Sequence, residues 1–307
     1  MRNEKYVLVS EIRELDAILA SIPAERVIER IGFEARLKRA RAALENMQFA
    51  NEPEKTLLTF RGAPVFGSHG VSADFGARAS GYFADAFAAI VAGMRKSLRD
   101  MGPIPDKTEN QLAITGIATG SFGFEFELPN LSADLFSESG GAEEALESLL
   151  KLFEKAAQGT DDEVTEVVHR VHPRAVKKVV DFLDYMEKRG AWCGVEFKRH
   201  FFRYSNLDEL RFAKERLSSD NIHHTKEKYQ GVFQGSLPKP RTFQFQALDY
   251  DSPIIGRFDP SIDPHAINRD WLDRPVSVEF DVVQVGQGRP RFTLLDLENV
   301  TSLATVA

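Results

Sequence analysis

Residues 228–258 read KYQGVFQGSLPKPRTFQFQALDYDSPIIGRF, and residues 276–297 read VSVEFDVVQVGQGRPRFTLLDL. In both stretches apolar residues recur at every second position: Phe243, Phe245 and Ala247 are separated by glutamines, and Val276, Val278, Phe280 and Val282 by Ser, Glu and Asp. A period of two places alternate side chains on opposite faces of a strand, so one face is buried and the other is wet. Five such runs, at residues 231–236, 242–248, 254–258, 276–285 and 291–297, are separated by turns rich in Pro, Gly and Asp. A one-turn or two-turn helix is expected near residues 265–271. Five short strands with tight turns predict a small closed barrel.

The barrel is expected to be SH3-like or OB-like and to be appended to a mixed body, so that the whole chain is of the α+β class. Working toward the N-terminus, residues 223–307 form the barrel, 137–222 a helical middle with one strand, 51–136 an α/β unit, and 1–50 a helical hairpin. In the hairpin a helix over 10–22 folds back on a longer one reaching about residue 48. The longer helix carries the stripe Phe33, Leu37, Ala40, Leu44 and Met47 at steps of three and four. In the α/β unit, residues 56–60 read as a strand, with Val65-Phe66 as its return. The following helix has a continuous, mostly bulky stripe on one side (Phe75, Ala79, Tyr82, Phe83, Phe87, Ile90) and small residues on the other (Gly76, Ser80, Gly81, Ala84, Ala88), which predicts cover on both sides. Residues 111–128 predict two strands around Thr119-Gly120-Ser121, and 137–141 a hinge. Thr160 and Glu163 have the spacing of a capping box. Residues 192–202 read as one strand, and 218–226 as a charged link.

Composition limits the function. With 43% hydrophobic and 28% charged residues the chain is a globular protein ordered over most of its length. A formal charge of -7 repels a polyanion from a distance and leaves only local basic patches for phosphate contact. Cys193 is the sole cysteine, which excludes an internal disulfide and a thiolate-rich zinc site. It lies in an apolar run and is expected to be a buried thiol. The start Met1-Arg2-Asn3-Glu4-Lys5 lacks a signal core, and no long apolar run follows, so a cytoplasmic bacterial protein without a membrane partner is expected.

Several local patterns carry possible chemistry. Ser68, His69 and Gly70 follow a strand and precede a helix, a junction where backbone N–H groups can hold an anion. Glu125 and Glu127 share one strand face, where an alternating buried and solvated strand accounts for them as well as a cation does. Glu196-Phe197-Lys198 resembles the E-x-K element of metal-dependent nucleases, in which Glu196 would hold the metal and Lys198 position the attacking water. The upstream acidic strand residue of that element is missing. Arg216 and His223 fall in the arginine-to-histidine window of some helical ribonucleases, but Ser218 to Asn221 break the helix between them. His169 and His172 are read as helix-terminal residues because Pro173 follows.

Lys198, Arg199 and Arg203 interleave with aromatic residues on the 192–202 run, and Lys239 and Arg241 are expected to point outward from the stiff turn Leu237-Pro238-Lys239-Pro240-Arg241. These five residues are the candidate partner contacts. The arrangement resembles bacterial accessory proteins, including some of defence or mobile-element systems. The expectation is a non-catalytic interaction protein that oligomerises through its N-terminal helices and binds a protein or a nucleic acid. The alternative is a metal-dependent nuclease or phosphodiesterase built on Glu196 and Lys198. No resident cofactor is expected and no metal site is assigned; only the nuclease alternative would need a metal, at Glu196.

Overall fold

The computed structural model describes residues 2–23, 26–48, 54–95, 97–118, 122–129 and 141–303. The chain divides into two units, Met1–Glu54 and Lys55–Ala307. The first is the expected hairpin: α1 (Arg2–Ser21) and α2 (Val27–Gln48) close on Leu15, Leu19 and Leu37, with Ile12 and Phe33 against them. The first helix starts well before Ser10, since residues 2–9 contain neither Gly nor Pro. Arg30 on α2 donates Nη1 to the carbonyls of Leu19 (3.2 Å) and Ile22 (2.8 Å) and so satisfies acceptors that α1 leaves open at its end. Ala40 is buried and Leu44 half-buried, while the side chain of Met47 lies outside the described residues.

The second unit opens with an antiparallel five-stranded sheet. Its strands are β1 (Lys55–Gly62), β4 (Ala113–Ile117), β5 (Gly123–Glu127), β6 (Ala191–Phe197) and β7 (His200–Arg203), in the order β4-β5-β1-β6-β7. Thr56, Leu58 and Phe60 of β1 point to the core with Phe126, Phe197, Val195 and Cys193, their register partners. Lys55, Leu57, Thr59 and Arg61 alternate to the outer face. Helices α3 (Ala73–Met94), α4 (Ala142–Gln158) and α6 (Pro173–Lys188) pack with this sheet into one apolar cluster. That cluster takes in residues expected to belong to both the α/β unit and the helical middle.

The cover on α3 is two-sided only in its second half, where residues 86–92 are all buried; Ala77, Arg78, Gly81 and Tyr82 face solvent in the first. Two local expectations are corrected. Val65-Phe66 (β2) does not return along β1 but pairs with β3 (Gly70–Val71) in a separate small hairpin. The run 192–202 is not one strand. It folds at Lys198-Arg199, with Lys198 at φ 55°, so that Phe197 pairs with His200. Thr119-Gly120-Ser121 and most of the expected hinge, residues 137–140, lie outside the described residues.

Two short helices complete the body. In α5 (Asp161–His169) the capping box is present: Thr160 Oγ1 accepts from the Glu163 N–H and Glu163 accepts from the Thr160 N–H. Asn206 caps α7 (Leu207–Arg216) through Oδ1, which accepts from the Glu209 N–H, while the Glu209 carboxylate accepts from the Ser205 N–H.

The C-terminal barrel consists of β8 (Ile222–Leu237), β9 (Thr242–Ala247), β10 (Ile254–Phe258), β11 (Pro275–Val285) and β12 (Arg291–Leu294). It closes in the order β8-β9-β10-β12-β11, with β11 returning to β8, and the β10–β12 pair is parallel. Between β10 and β11 lies α8 (Pro264–Ala266), continued by a π-helical turn to Trp271. A short β13 (Val300–Ser302) extends the sheet beside β11. The barrel is filled with rings: Phe243 stacks on Phe280 at 5.0 Å, and Phe233, Phe245, Phe258 and Phe292 surround them. The expected link 218–226 is largely the first half of β8, whose polar residues pair with the end of β11. No described helix is long and apolar enough to cross a membrane.

Body and barrel share a buried seam. Val283 and Val285 leave the barrel interior and join the body cluster. Beside them the Arg216 guanidinium, 9% exposed, donates Nη1 to the carbonyls of Ala156 (3.1 Å) and Gly159 (2.7 Å) and Nη2 to Asp161 Oδ1 (2.7 Å). Asp161 Oδ2 in turn accepts from the Gln287 N–H (3.0 Å) in the β11–β12 turn. A Cβ on Gly288 would lie 2.6 Å from the Asp161 carbonyl oxygen, so only glycine permits this approach. Arg216→Ala strands Asp161 and several carbonyls, and a loss of about 3–5 kcal/mol is expected in chemical denaturation. The Gln287 N–H and then the Arg216 guanidinium hold the Asp161 carboxyl below its ordinary 3.8. Its stabilisation is therefore present above that value and lost as pH falls below it. Melting curves taken from about pH 5 to about pH 3 should drop more steeply for wild type than for Asp161→Asn.

Candidate functional site

The E-x-K residues diverge in space. Glu196 is exposed on the outer sheet face, in register with Leu57 of β1 and Phe201 of β7. Lys198 sits in the β6–β7 turn, where its ammonium pairs with Glu143 in the first turn of α4, the helix on the inner face. The nearest outer-face carboxylate across β1 is Glu125, which shares Leu57 as register partner. Two strand spacings, about 9–10 Å, separate the two backbones. Glu125 is itself engaged: Lys55 Nζ donates at 2.8 Å and Thr115 Oγ1 at 3.1 Å, and these bonds hold its carboxyl below the ordinary range. Among the described residues no three His, Cys, Asp or Glu side chains converge as a metal-ligand set.

The basic residues around this turn are also partly committed. Arg203 stacks its guanidinium over Phe201 at 4.9 Å, and the two line an open depression of about 490 Å³ with Arg61, Glu154, Gln158 and His200. His200 Nε2 lies 3.1 Å from Glu154 Oε2. Arg199 is exposed at the tip of the turn. Cys193 is fully buried, and burial pushes its thiol far above the ordinary value, which removes it as a nucleophile.

Ser68 and His69 lie at the tip of the β2–β3 hairpin, exposed, with Gly70 beginning β3. The tip is therefore a strand-to-strand turn rather than a strand-to-helix cradle. Ser72 occupies the cap position of α3 without a side-chain bond, and Asp74 in the first helical turn binds Arg78 (2.8 Å) and Arg189 (2.5 Å). That carboxylate already answers the helix dipole.

In the barrel, Lys239 is exposed at the tip of the four-residue β8–β9 turn. Arg241 was expected beside it, pointing outward. Instead it is half-buried at φ 54° and donates Nη2 to the carbonyls of Asp259 (2.9 Å) and Ile262 (2.5 Å). Its guanidinium fastens the turn to the segment after β10.

The outer face of β8, β9 and β10 beyond that turn is open. Register rows run Val232–Gln246, Gln244–Ile255 and Leu237–Thr242–Arg257. None of these is a carboxylate, and Leu237 and Ile255 are 63% and 69% exposed. Gln246 is turned to the carbonyl of Tyr250 (2.6 Å), which shapes the β9–β10 loop.

At the end of this face stands a group that no sequence pattern announces. Arg257 on β10, Arg291 and Thr293 on β12, and Glu166, His169 and Arg170 at the end of α5 come together where α5 crosses the barrel. Arg170 donates Nε (2.9 Å) and Nη2 (2.5 Å) to Glu166 Oε1. Arg291 Nε lies 3.0 Å from Glu166 Oε2, an ion pair outside hydrogen-bond alignment. His169 Nε2 meets Thr293 Oγ1 at 2.7 Å. The Arg257 guanidinium has no hydrogen-bond or ion-pair partner among the described residues. Burial, then repulsion from Arg170 and from Arg291, lowers its hold on its proton, against the attraction of Glu166. The three arginines are distant in sequence and share no motif, so only the fold assembles them.

No family model, curated protein or solved structure matches this chain.

Burial first, and then the charge of Arg257, lowers the His169 imidazole from the ordinary 6.5 to about 4. His169 should therefore stay neutral in a proton NMR titration down to about pH 5. In the unfolded chain it takes up a proton below 6.5. The stability that its neutral form supplies is thus complete above that pH and fades as pH falls toward about 4, by about 3 kcal/mol in all. His169→Gln should flatten that part of the stability profile.

Proposed function

We propose that this chain is a non-catalytic protein that binds single-stranded nucleic acid through the open β8–β9–β10 face of an OB-type barrel. The observation that carries the reading is the connectivity. A parallel pairing of the third and fifth barrel strands, with a helix between the third and fourth, is OB order, whereas an SH3-like barrel is built of antiparallel neighbours. OB barrels bind oligonucleotides on the face of their second and third strands.

Fold alone does not assign a ligand, so the face itself has to suit one. It is free of carboxylates in a chain of net charge -7. It presents exposed Leu237 and Ile255 for apolar contact with bases and Gln244 for their polar edges, with Arg257 and Lys239 at its margin for phosphates. The fourth-to-fifth strand turn is docked on α5 and is not available, so recognition falls to the β9–β10 side. The divergence of Glu196 and Lys198 gives the nuclease reading no geometric support.

Fluorescence anisotropy of labelled single strands longer than the ~4–16 nucleotides one such barrel spans tests this directly. Binding should weaken with salt, with a log–log slope of about -0.7 for each phosphate contacted. Ile255→Glu should reduce affinity by about tenfold or more while leaving the melting temperature nearly unchanged. A folded protein that binds neither single-stranded DNA nor RNA at low salt would refute the assignment.

The hairpin is proposed to pair with a second copy. Ile18 (37%) and Ile31 (57%) remain exposed beside the small Leu15–Leu19–Leu37 cluster. Light scattering at micromolar concentration should give more than the 34.4 kDa of one chain. Ile18→Lys with Ile31→Lys should return it to that mass, whereas a wild-type monomer would dismiss the pairing.

A further inference from the structure

We propose that Arg170, Arg257 and Arg291 form a binding site for a phosphate group where α5 crosses the barrel. Three guanidiniums stand around Glu166, while Asp281, the register partner of Thr293 on β11, faces His169 and lies 3.8 Å from His224 Nδ1. Glu166 commits one oxygen to Arg170 and places the other 3.0 Å from Arg291 Nε, which leaves nothing for Arg257. Each guanidinium carries five N–H donors in a planar fork. All those of Arg257 are without a partner among the described residues, as are the Nη groups of Arg291 and the Nη1 of Arg170.

The surroundings keep these donors aimed and the charge uncompensated. Arg257 is half-buried on β10, held between its register partners Thr242 and Thr293. His169 is bonded to Thr293 and stays neutral, so the positive charge of the group is that of the three guanidiniums alone. Arg291 is one-third exposed and Arg170 about half, so the group opens to solvent. An anion entering there exchanges like-charge repulsion for several charge-assisted hydrogen bonds, and a tetrahedral phosphate can take donors from three directions at once.

A purely structural role would need only the Arg170–Glu166–Arg291 bridge between α5 and β12. Arg257 adds nothing to that bridge. The site rests on the strand-binding reading only for the source of its phosphate, which is either the backbone of a bound strand or a free phosphate compound.

The test uses the full chain and titration calorimetry with inorganic pyrophosphate, at ionic strength held constant with chloride. Wild type should bind, and Arg257→Gln should weaken binding by about tenfold or more, as expected for lost charge-assisted bonds. Its melting temperature without ligand should be retained or raised, because like-charge repulsion is relieved. Lys177→Gln, on the exposed side of α6 and outside the group, should bind pyrophosphate as wild type does. If Arg257→Gln does not fold, Arg257→Lys keeps the charge without the fork and should still weaken binding. Absence of binding by wild type, or equal affinity in a folded Arg257 variant, overturns the site. The labelled strand separates the two sources. A strand bound equally by wild type and Arg257→Gln, with pyrophosphate binding that depends on Arg257, assigns the site a free phosphate compound and leaves the strand-binding reading in place. Arg257-dependent pyrophosphate binding without strand binding keeps the site, assigns it a free phosphate compound and ends the strand-binding reading.

Discussion

The barrel stands where it does because one guanidinium is buried. Arg216 ends α7, yet its side chain terminates α4 by donating to the Ala156 and Gly159 carbonyls, and it turns Asp161 toward the β11–β12 turn. A buried ion pair is weak evidence for stability in general, since desolvation offsets much of the Coulomb attraction. Here it does something an apolar pair cannot. It satisfies otherwise orphaned carbonyls at a helix end and fixes the direction of a carboxylate that two segments share. Thr165 adds to this by accepting the Val285 N–H, and Asn221 by accepting the Gly286 N–H through its carbonyl. The barrel is therefore joined through backbone groups, which sets its angle as well as its attachment.

That docking decides which barrel surface is left for binding. The β11–β12 turn and the end of β11 are used up against α5 and the body cluster. The β9–β10 side is turned away from them and keeps exposed Leu237 and Ile255. Inside, the barrel is rigid for a separate reason. A Cβ at Gly256 would lie 2.2 Å from the Phe243 ring, so the ring that stacks on Phe280 occupies the space a side chain on β10 would need. The strand that carries Ile255 and Arg257 is thereby pressed against the aromatic core, and its outward residues are held at fixed positions.

The sequence made the barrel legible because its strands alternate strictly. Phe243-Gln244-Phe245 and Val276 to Val282 admit one register, and the observed strands start within a residue of those expected from the pattern for β9, β10, β11 and β12. Pattern failed where pairing, not burial, defines the strand. The first half of β8, from Ile222 to Lys228, is polar and reads as a link, yet β11 pairs with it residue by residue. The β6–β7 turn was hidden because Lys198, a non-glycine residue at positive φ, gives no turn signal. The candidate site was less legible still. Arg241 looks solvated in sequence and is spent on two carbonyls, while Arg170, Arg257 and Arg291 each look like an isolated surface charge.

This arginine group also explains how a chain of net charge -7 can hold an anion. Mobile ions screen the summed charge beyond about 8 Å at physiological salt, so the distant carboxylates mainly slow the approach of a polyanion. Affinity is set by the groups within that radius, where Arg170, Arg257 and Arg291 outnumber Glu166 and Asp281. The acidic surface then becomes a filter: long-range attraction to any polyanion is suppressed, and binding depends on short-range fit at a place where guanidinium donors are held in fixed directions. A surface lysine patch would give the opposite behaviour, with fast, salt-sensitive and unselective association. The arrangement favours a ligand that brings a phosphate together with something for Ile255, Leu237 and Gln244 to touch, because only such a ligand gains from both the charge and the open face.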